Sequence, residues 1–337
     1  MRVRLCHRAP LALLALTTVL WCGAAGAGGE AMAGPQARQW LQRMHSAATQ
    51  RSYQGTLVVS TGATMQSSRV AHVCEGSQTY ERVDLLDGQP RRVLRHNEQV
   101  LTLWPVQKVA RLEQRDPLQP FPALLTGSED QLFERYEMVA EGPGRIAGFE
   151  TSVFLLRPLD GWRFAQRVWA EQGSGLLLRA DILGPDGRVL ETSAFSDLTI
   201  GAKARPETVQ SALKQLDGWR VQKPSPRRTA LDAEGWQLKT PLAGFRQTSC
   251  VKRQLDPAVD DERPVSTEVV QAIFTDGLTY VSIFIEPYRA DRHRAGSAAV
   301  GATHTWMQPA GAHWVTVMGD VPMTTLKHFA AALERTR

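Results

Sequence analysis

Two periodicities divide this chain. After Pro35, the residues Trp40, Leu41, Met44, Ala47 and Ala48 recur at helical spacing, with Arg38, Gln42 and Arg43 between them. That pattern predicts an amphipathic helix with one buried face. From Tyr53 the spacing changes to alternation. Tyr53 to Ser60, Arg69 to Cys74, Gln78 to Leu85, Arg91 to Arg95 and Gln99 to Trp104 read as strands in quick succession. Asp87-Gly88 and His96-Asn97 stand between runs, where tight turns are expected. The expectation is a meander of antiparallel strands.

The alternation breaks at Asp116-Pro117 and Pro120-Phe121-Pro122. Proline donates no ladder hydrogen bond and is excluded from a central strand. Ser128-Glu129-Asp130-Gln131 then reads as a capping box, with Leu132, Phe133 and Tyr136 continuing a short helix. Strands resume at Phe149–Pro158, Phe164–Ala170, Leu176–Leu183 and Arg188–Phe195, the last two joined by the turn Gly184-Pro185-Asp186-Gly187. These strands are apolar on both faces, at Phe154/Leu155 and at Leu176-Leu177-Leu178. An antiparallel sheet usually keeps one wet face. The pattern therefore requires cover on both sides, by helices on one and by a cavity or a second sheet on the other.

From Gly201 to Arg228 the β pattern stops, and two short helical stretches are interrupted by Pro206, Pro224 and Pro226. This segment, 201–228, reads as a connection between a first domain at 34–200 and a second at 229–337. In the second, Val269–Phe274 and Leu278–Ile285 flank Thr275-Asp276-Gly277, a hairpin signal. A polar, arginine-rich stretch from Tyr288 to Gly301 reads as a mobile surface loop. Thr303–Gln308 and His313–Met318 read as strands. A closing helix from about Pro322 puts Met323, Leu326, Phe329, Ala330 and Leu333 on one side.

The N-terminus changes the picture of compartment. Arg2, Arg4 and Arg8 precede an apolar run from Leu11 to Trp21, followed by Ala25-Gly26-Ala27 and Ala31-Met32-Ala33. This is the pattern of a secretory signal peptide over residues 1–27, with cleavage as late as 33 also fitting. The apolar run is shorter than the roughly 20 residues a spanning helix needs. Trp21 before Cys22 does not suit a lipid-anchor signal, so a freely soluble exported product is expected. Processing takes three arginines and no acid from 39 basic and 34 acidic residues, leaving a net charge of +2. So weak and scattered a charge gives no basic stripe for nucleic acid. Two cysteines survive processing, Cys74 and Cys250. They allow one interdomain bridge or two buried free thiols, and no disulfide framework.

Catalytic motifs are lacking. Gly173-Ser174-Gly175 is a turn without the Gly-x-Ser-x-Gly of a nucleophile elbow, and there is no Cys-x-x-Cys, phosphate-cradling glycine loop or His-Glu-x-x-His. His293, His304 and His313 match no compact metal-ligand spacing, and Asp260-Asp261-Glu262 sits in a proline-flanked polar loop. No cofactor or metal is expected. The residues that stand out are aromatic: Trp104, Phe121, Phe133, Phe154, Trp162 and Trp169, all in the first domain. Singly they read as core; together with the two-faced strands they are candidates to line a pocket for a lipid-like or peptide ligand.

Ordered along nearly the whole mature chain are further markers. They are Trp40-Leu41, Met44, Ala47 and Tyr53-x-Gly55; Leu86-Asp87-Gly88 with Arg91-Arg92 and Pro105; and Phe121-Pro122 with Leu124-Leu125. Then come Ile146-Ala147-Gly148, Pro158-x-Asp160, Arg163-Phe164, Val168-Trp169, Gly175 to Arg179 and Gly187-x-Val189-Leu190-Glu191. In the second domain stand Trp236, Pro241 to Phe245, Thr275 to Leu278 and Val317 to Pro322. In this order they resemble the MucB/RseB family of periplasmic negative regulators of sigma-E.

The resemblance implies a β-rich α+β fold: an N-terminal half-open antiparallel barrel closed by helices, similar to the lipoprotein carrier LolA, and a smaller C-terminal α+β domain. It implies binding to the periplasmic segment of a membrane-spanning anti-sigma factor (RseA/MucA type), protection of that segment from regulated proteolysis, and release by lipid or lipopolysaccharide-like signals. It brings no catalytic residue. Under this reading Arg91, Arg92, Arg95 and Arg163 are candidates to meet phosphates beside an acyl pocket. A homo-oligomer is compatible with the sequence. The rival reading is a LolA-type carrier of lipid or lipoprotein, against which the added second domain argues.

Overall fold

The computed structural model describes residues 31–114, 121, 129–202, 206–255 and 267–336. The expected leader, Pro117, Pro120, Pro122, Leu124-Leu125, Ser128 and the acidic run at 260–262 lie outside the described residues. Helix α1 (Gly34–Gln50) leads into β1 (Tyr53–Ser60), β2 (Met65–Glu75), β3 (Gln78–Leu85), β4 (Arg92–His96), β5 (Gln99–Trp104) and β6 (Val109–Gln114). Helix α2 (Glu129–Phe133) precedes β7 (Tyr136–Ile146), β8 (Phe149–Pro158), β9 (Ala165–Glu171), β10 (Leu177–Leu183) and β11 (Val189–Ile200). Helix α3 (Pro206–Lys214) and β12 (Arg220–Gln222) follow. The rest is β13 (Arg227–Arg228), β14 (Trp236–Leu238), β15 (Arg246–Leu255), β16 (Thr267–Thr275), β17 (Tyr280–Pro287), β18 (Gly296–Val300), β19 (Thr303–Ala310), β20 (His313–Gly319), α4 (Met323–Ala332) and β21 (Leu333–Arg335).

Twelve strands form one open sheet in the order β12-β6-β5-β4-β3-β2-β1-β11-β10-β9-β8-β7. β1 bonds to both β2 and β11, so the meander before the proline break and the one after it meet at the first strand. Seven more strands form a second sheet, β13-β15-β16-β17-β20-β19-β18, and β14 pairs with β21. The half-open β architecture with a smaller α+β unit is the one expected. No helix of the described residues is long and apolar enough to cross a membrane.

The helices cover opposite faces of the large sheet. α1 buries Ala37, Leu41 and Met44 against Met138, Phe154, Leu156, Val168 and Ala170. Register puts Phe154 opposite Val168 and Leu156 opposite Met138, so these side chains share one face. Tyr53, Val70 and Phe195 continue that face with Ala47 of α1. Val73 points the other way from its neighbour His72, as alternation requires. There it joins Tyr80, Leu94, Leu101, Leu103 and Ala110 under Val209 of α3. The second cover expected over Phe149–Pro158 and Leu176–Leu183 is not supplied by α3, which roofs β2 to β6 instead; the other face of β8 and β9 carries Leu155 beside Arg167 and Val153 beside Trp169. Leu176, Leu177 and Leu178 are all buried because the register shifts between Leu177 and Arg179.

Three expectations are corrected. The segment 201–228 is more than a connection: α3 roofs one apolar cluster, and β12 adds in parallel to β6, with Arg220 opposite Val109. Tyr136 starts a strand, and the short helix ends at Phe133. The stretch Tyr288–Gly301, read as a loop throughout, holds the edge strand β18. The strand that Tyr136 starts, β7, also contains Gly142-Pro143-Gly144, a sequence suited to a turn. Its place at the sheet edge and a bulge between Ala140 and Gly142 accommodate the proline.

Candidate functional site

The face of the large sheet that carries α1 also carries a row of polar groups. Register aligns Tyr53, His72, Glu81, Arg95 and Val100 across β1 to β5. The Tyr53 and His72 rings stack with centroids 4.9 Å apart. Cys74 Sγ donates to Thr49 O at 3.0 Å and lies 3.3 Å from His72 Nε2. Arg95 Nε stands 3.8 Å from Glu81 Oε2. Burial sets the protonation here. It pushes Glu81 up even with Arg95 opposing, and it lowers His72 to about 4, helped by the Arg95 charge. The Cys74 thiol is also raised by burial, so no thiolate–imidazolium pair forms. What the row offers is a half-apolar floor with one half-buried pair, Arg95 and Glu81, suited to holding a ligand rather than attacking one.

Three of the six aromatic candidates come together beside this row. Phe154, Phe133 and Phe121 pack in one cluster with α1, where Trp40 lies 4.7 Å from Phe154. Phe121 also reaches Phe195, ring centroids 5.7 Å apart, and so joins the Tyr53 side. Trp104 is at the far end of the meander, with Arg111 over its ring at 5.8 Å. Trp169 faces the other side of the sheet, opposite Val153 and beneath Arg179 at 4.6 Å. Trp162 belongs elsewhere: it packs against the core of the second domain and lies 5.3 Å from His328. It is therefore corrected from pocket lining to junction residue.

The arginines do not converge either. Arg95 lies in the polar row, while its strand neighbours Leu94 and His96 face the α3 side of the sheet. Arg92 pairs with Asp84. Arg91 is exposed before β4. Arg163, expected near a bound phosphate, is fully buried between the domains. Its Nε donates to Asp276 at 2.6 Å, Nη1 to Asp160, and Nη2 to the carbonyl of Ala243 at 2.7 Å, while the guanidinium stacks on Phe245 at 4.7 Å. With each of its three nitrogens already donating, its flat face covered and no side-chain surface exposed, it is not placed to meet an anion, and the expectation is corrected.

Asp276 completes the junction. Its Oδ2 also accepts from Tyr136 Oη at 3.0 Å, and its Oδ1 accepts the amides of Leu278 and Thr279. Gly244 has φ +90°, and a Cβ there would stand 2.6 Å from Arg163 Nη2, so only glycine fits under the guanidinium. Thr325 Oγ1 donates to the carbonyl of Trp162 at 2.8 Å. A second contact lies at the Gly301 turn, which abuts Thr61 and Glu191. Burial raises Glu191, as does the nearby Asp320 charge, and burial also raises Asp320. Sequence reasoning missed Asp276 as a functional residue because a Thr-Asp-Gly between two strands reads as turn chemistry. No periodicity signals that its carboxylate turns inward.

His293 stacks on Trp314, His304 meets Phe164 edge-on, and His313 meets Trp236 edge-on. Among the described residues, no group of three or more histidine, cysteine or acidic side chains is arranged to hold a metal ion. Cys74 and Cys250 are both free thiols.

Two family models match this chain in order: the MucB/RseB N-terminal domain over residues 36–213 and the MucB/RseB C-terminal domain over residues 230–334. The chain is 23% identical over 291 residues to the sigma-E factor regulatory protein RseB of Haemophilus influenzae, covering 86% of this chain and 89% of that one. It is 26% identical over 326 residues to the sigma factor AlgU regulatory protein MucB of Pseudomonas aeruginosa, covering 88% and 90%. Its fold is similar to MucB in a solved complex of Pseudomonas aeruginosa MucA/MucB, with TM-score 0.67 and 24% identity over 90% of this chain and 99% of that one.

Proposed function

The chain belongs to the MucB/RseB family, and from that premise we propose that it binds the periplasmic segment of a membrane-spanning anti-sigma factor. Bound there, it shields that segment from regulated proteolysis and so restrains an envelope stress response. The reading places the chain in the periplasm after export and assigns it no catalytic step. One observation carries it: both family domains match, in order, over residues 36–213 and 230–334. The relatives' names supply the regulatory role, and the solved MucA/MucB pair supplies the kind of partner.

Calorimetry of residues 34–337 against the periplasmic segment of the source organism's anti-sigma factor tests this. One-to-one binding, weakened when 229–337 is removed, is the expected result. An absence of heat up to high micromolar concentration sinks the proposal.

A lipid signal is the second part of the proposal. The observation that favours it is the Phe121–Phe133–Phe154 cluster, which sits beside the polar row with its own edges half-buried. A lipid releases the partner only if it binds the partner-free form more tightly. An acylated, phosphorylated lipid should therefore weaken anti-sigma binding in competition. Unchanged affinity at saturating lipid removes this part and leaves the first intact.

A further inference from the structure

Among the described residues the small sheet ends on β18, and that edge is built differently from the outer edges of the large sheet and from β13. β12 is three residues long with Pro224 just beyond it, and β13 is two arginines after Pro226. β7 is bulged at Gly142-Pro143-Gly144, and Met32 N already donates to Met138 O along it. Short length, proline, charge, bulges and cover are how proteins stop an edge from pairing. β18 reads Gly-Ser-Ala-Ala-Val, with no proline and no charge. Ser297 to Val300 are exposed, Val300 by 63%.

Its polar backbone is aimed. The hairpin to β19 turns through two residues, Gly301 and Ala302, with Val300 opposite Thr303. In such a hairpin the flanking pair is hydrogen-bonded, so the N–H and C=O of Ser297 and Ala299 face outward. The turn is anchored, since Gly301, at φ +58°, abuts Thr61 and Glu191 of the first domain. An anchored open edge loses little freedom when a strand is added. The approach is also charged. Arg289, Arg292 and Arg294 precede β18 with Asp291 as the sole acid among them. Arg289 lies 3.2 Å and Arg292 4.0 Å from that carboxylate, while Arg294 Nη1 donates to the carbonyls of Ala290 and His293. Two guanidiniums share one carboxylate and the third meets only carbonyls, which leaves positive charge for a partner.

We propose that the outer edge of β18 is a strand-addition site for an extended peptide segment, antiparallel to β18, with acidic residues just beyond its C-terminal end, beside Arg294. Main-chain hydrogen bonds would supply affinity, and the basic approach would set direction. This inference rests on the reading that the chain holds an anti-sigma segment, and it names where that segment docks.

Hydrogen exchange by mass spectrometry on the full chain, with and without the periplasmic anti-sigma segment, is the test. The expected result is fast exchange at Ser297 and Ala299 in the free chain and clear slowing in the complex. Ala299→Pro should weaken binding about tenfold, the scale of one lost hydrogen bond plus a clash. Arg294→Glu should weaken binding most at low salt. If the segment binds but exchange at β18 is unchanged and Ala299→Pro binds equally well, the inference falls and the anti-sigma reading stands. If the segment does not bind the unaltered chain, both fall. The exchange measurement needs no variant, so it decides the matter even where a substitution misfolds.

Discussion

Arg163 and Asp276 meet 2.6 Å apart with no exposed side-chain surface on either, and they come from different domains. Tyr136 and two amides fill the carboxylate's remaining capacity, and Asp160 and the Ala243 carbonyl each accept from one terminal nitrogen of the guanidinium. A buried pair held in this way adds little over an apolar pair, yet breaking it strands a charge. Asp276→Ala should therefore cost about 3–5 kcal/mol in urea unfolding. Tyr136→Phe, which removes one hydrogen bond, should cost about 1 kcal/mol. A cost for Asp276→Ala no larger than that of Tyr136→Phe would show that the pair does not hold the domains together.

Acid should expose His72. Burial lowers this ring from 6.5 to about 4. A folded value below the unfolded one means the neutral ring's contribution is full above pH 6.5 and lost as pH falls through 4. His72→Phe keeps a ring against Tyr53 and removes the titration. Stability should then fall less steeply between pH 6.5 and 4 than in the unaltered chain, measured as urea midpoints across that range. Parallel pH curves would refute the assignment.

Glu191 and Asp320 should act in the opposite direction over the same acid range. Burial raises both, and the Asp320 charge adds to the rise at Glu191, while Thr303 and His304 partly offset it at Asp320. The neighbouring Tyr280 hydroxyl is pushed up to about 12 by burial and by these two carboxylates. A folded value above the unfolded one favours the protonated form. The associated stability is present below the unfolded value and lost as pH rises through the folded one. Glu191→Gln should therefore raise Tm at pH 7, with the gain shrinking towards pH 4. A gain independent of pH would mean that charge at the Gly301 turn is not the cause.

How much of the fold is legible in the sequence follows from where side chains point. The strands Tyr53–Ser60, Gln78–Leu85, Gln99–Trp104 and Phe149–Pro158 are legible to the residue, because apolar alternation or turn residues bound each one. β7 is hidden by Gly142-Pro143-Gly144, which only an edge tolerates. β15 is not legible at all: Arg246, Lys252 and Arg253 give it the look of a polar loop. Of the candidate site, Phe121, Phe133 and Phe154 are visible as large apolar residues. Glu81, His72 and Asp276 are not, since a polar residue at an alternating position or in a turn reads as exposed. Pairing and a second domain, distant in sequence, are what bury it.

The segment 201–228 gives the last test, because connection and structural element predict different truncations. Val209 is buried, and Leu213, Leu216 and Trp219 pack with it over Leu94, Leu101, Leu103 and Ala110. Gln210 Nε2 donates to Tyr80 Oη at 2.8 Å, and β12 pairs with β6. Each large apolar side chain returned to water costs about 1.5–3 kcal/mol. A chain cut after residue 200 loses that roof and the β12 cover of β6, whereas one cut after residue 222 keeps both. Both cuts remove the second domain and leave Arg163 without Asp276, so the difference between them isolates α3 and β12. The shorter chain should bind a hydrophobic dye and aggregate, and the longer one should unfold cooperatively with a higher urea midpoint. Equal solubility and equal midpoints would return the segment to the role of a plain connection.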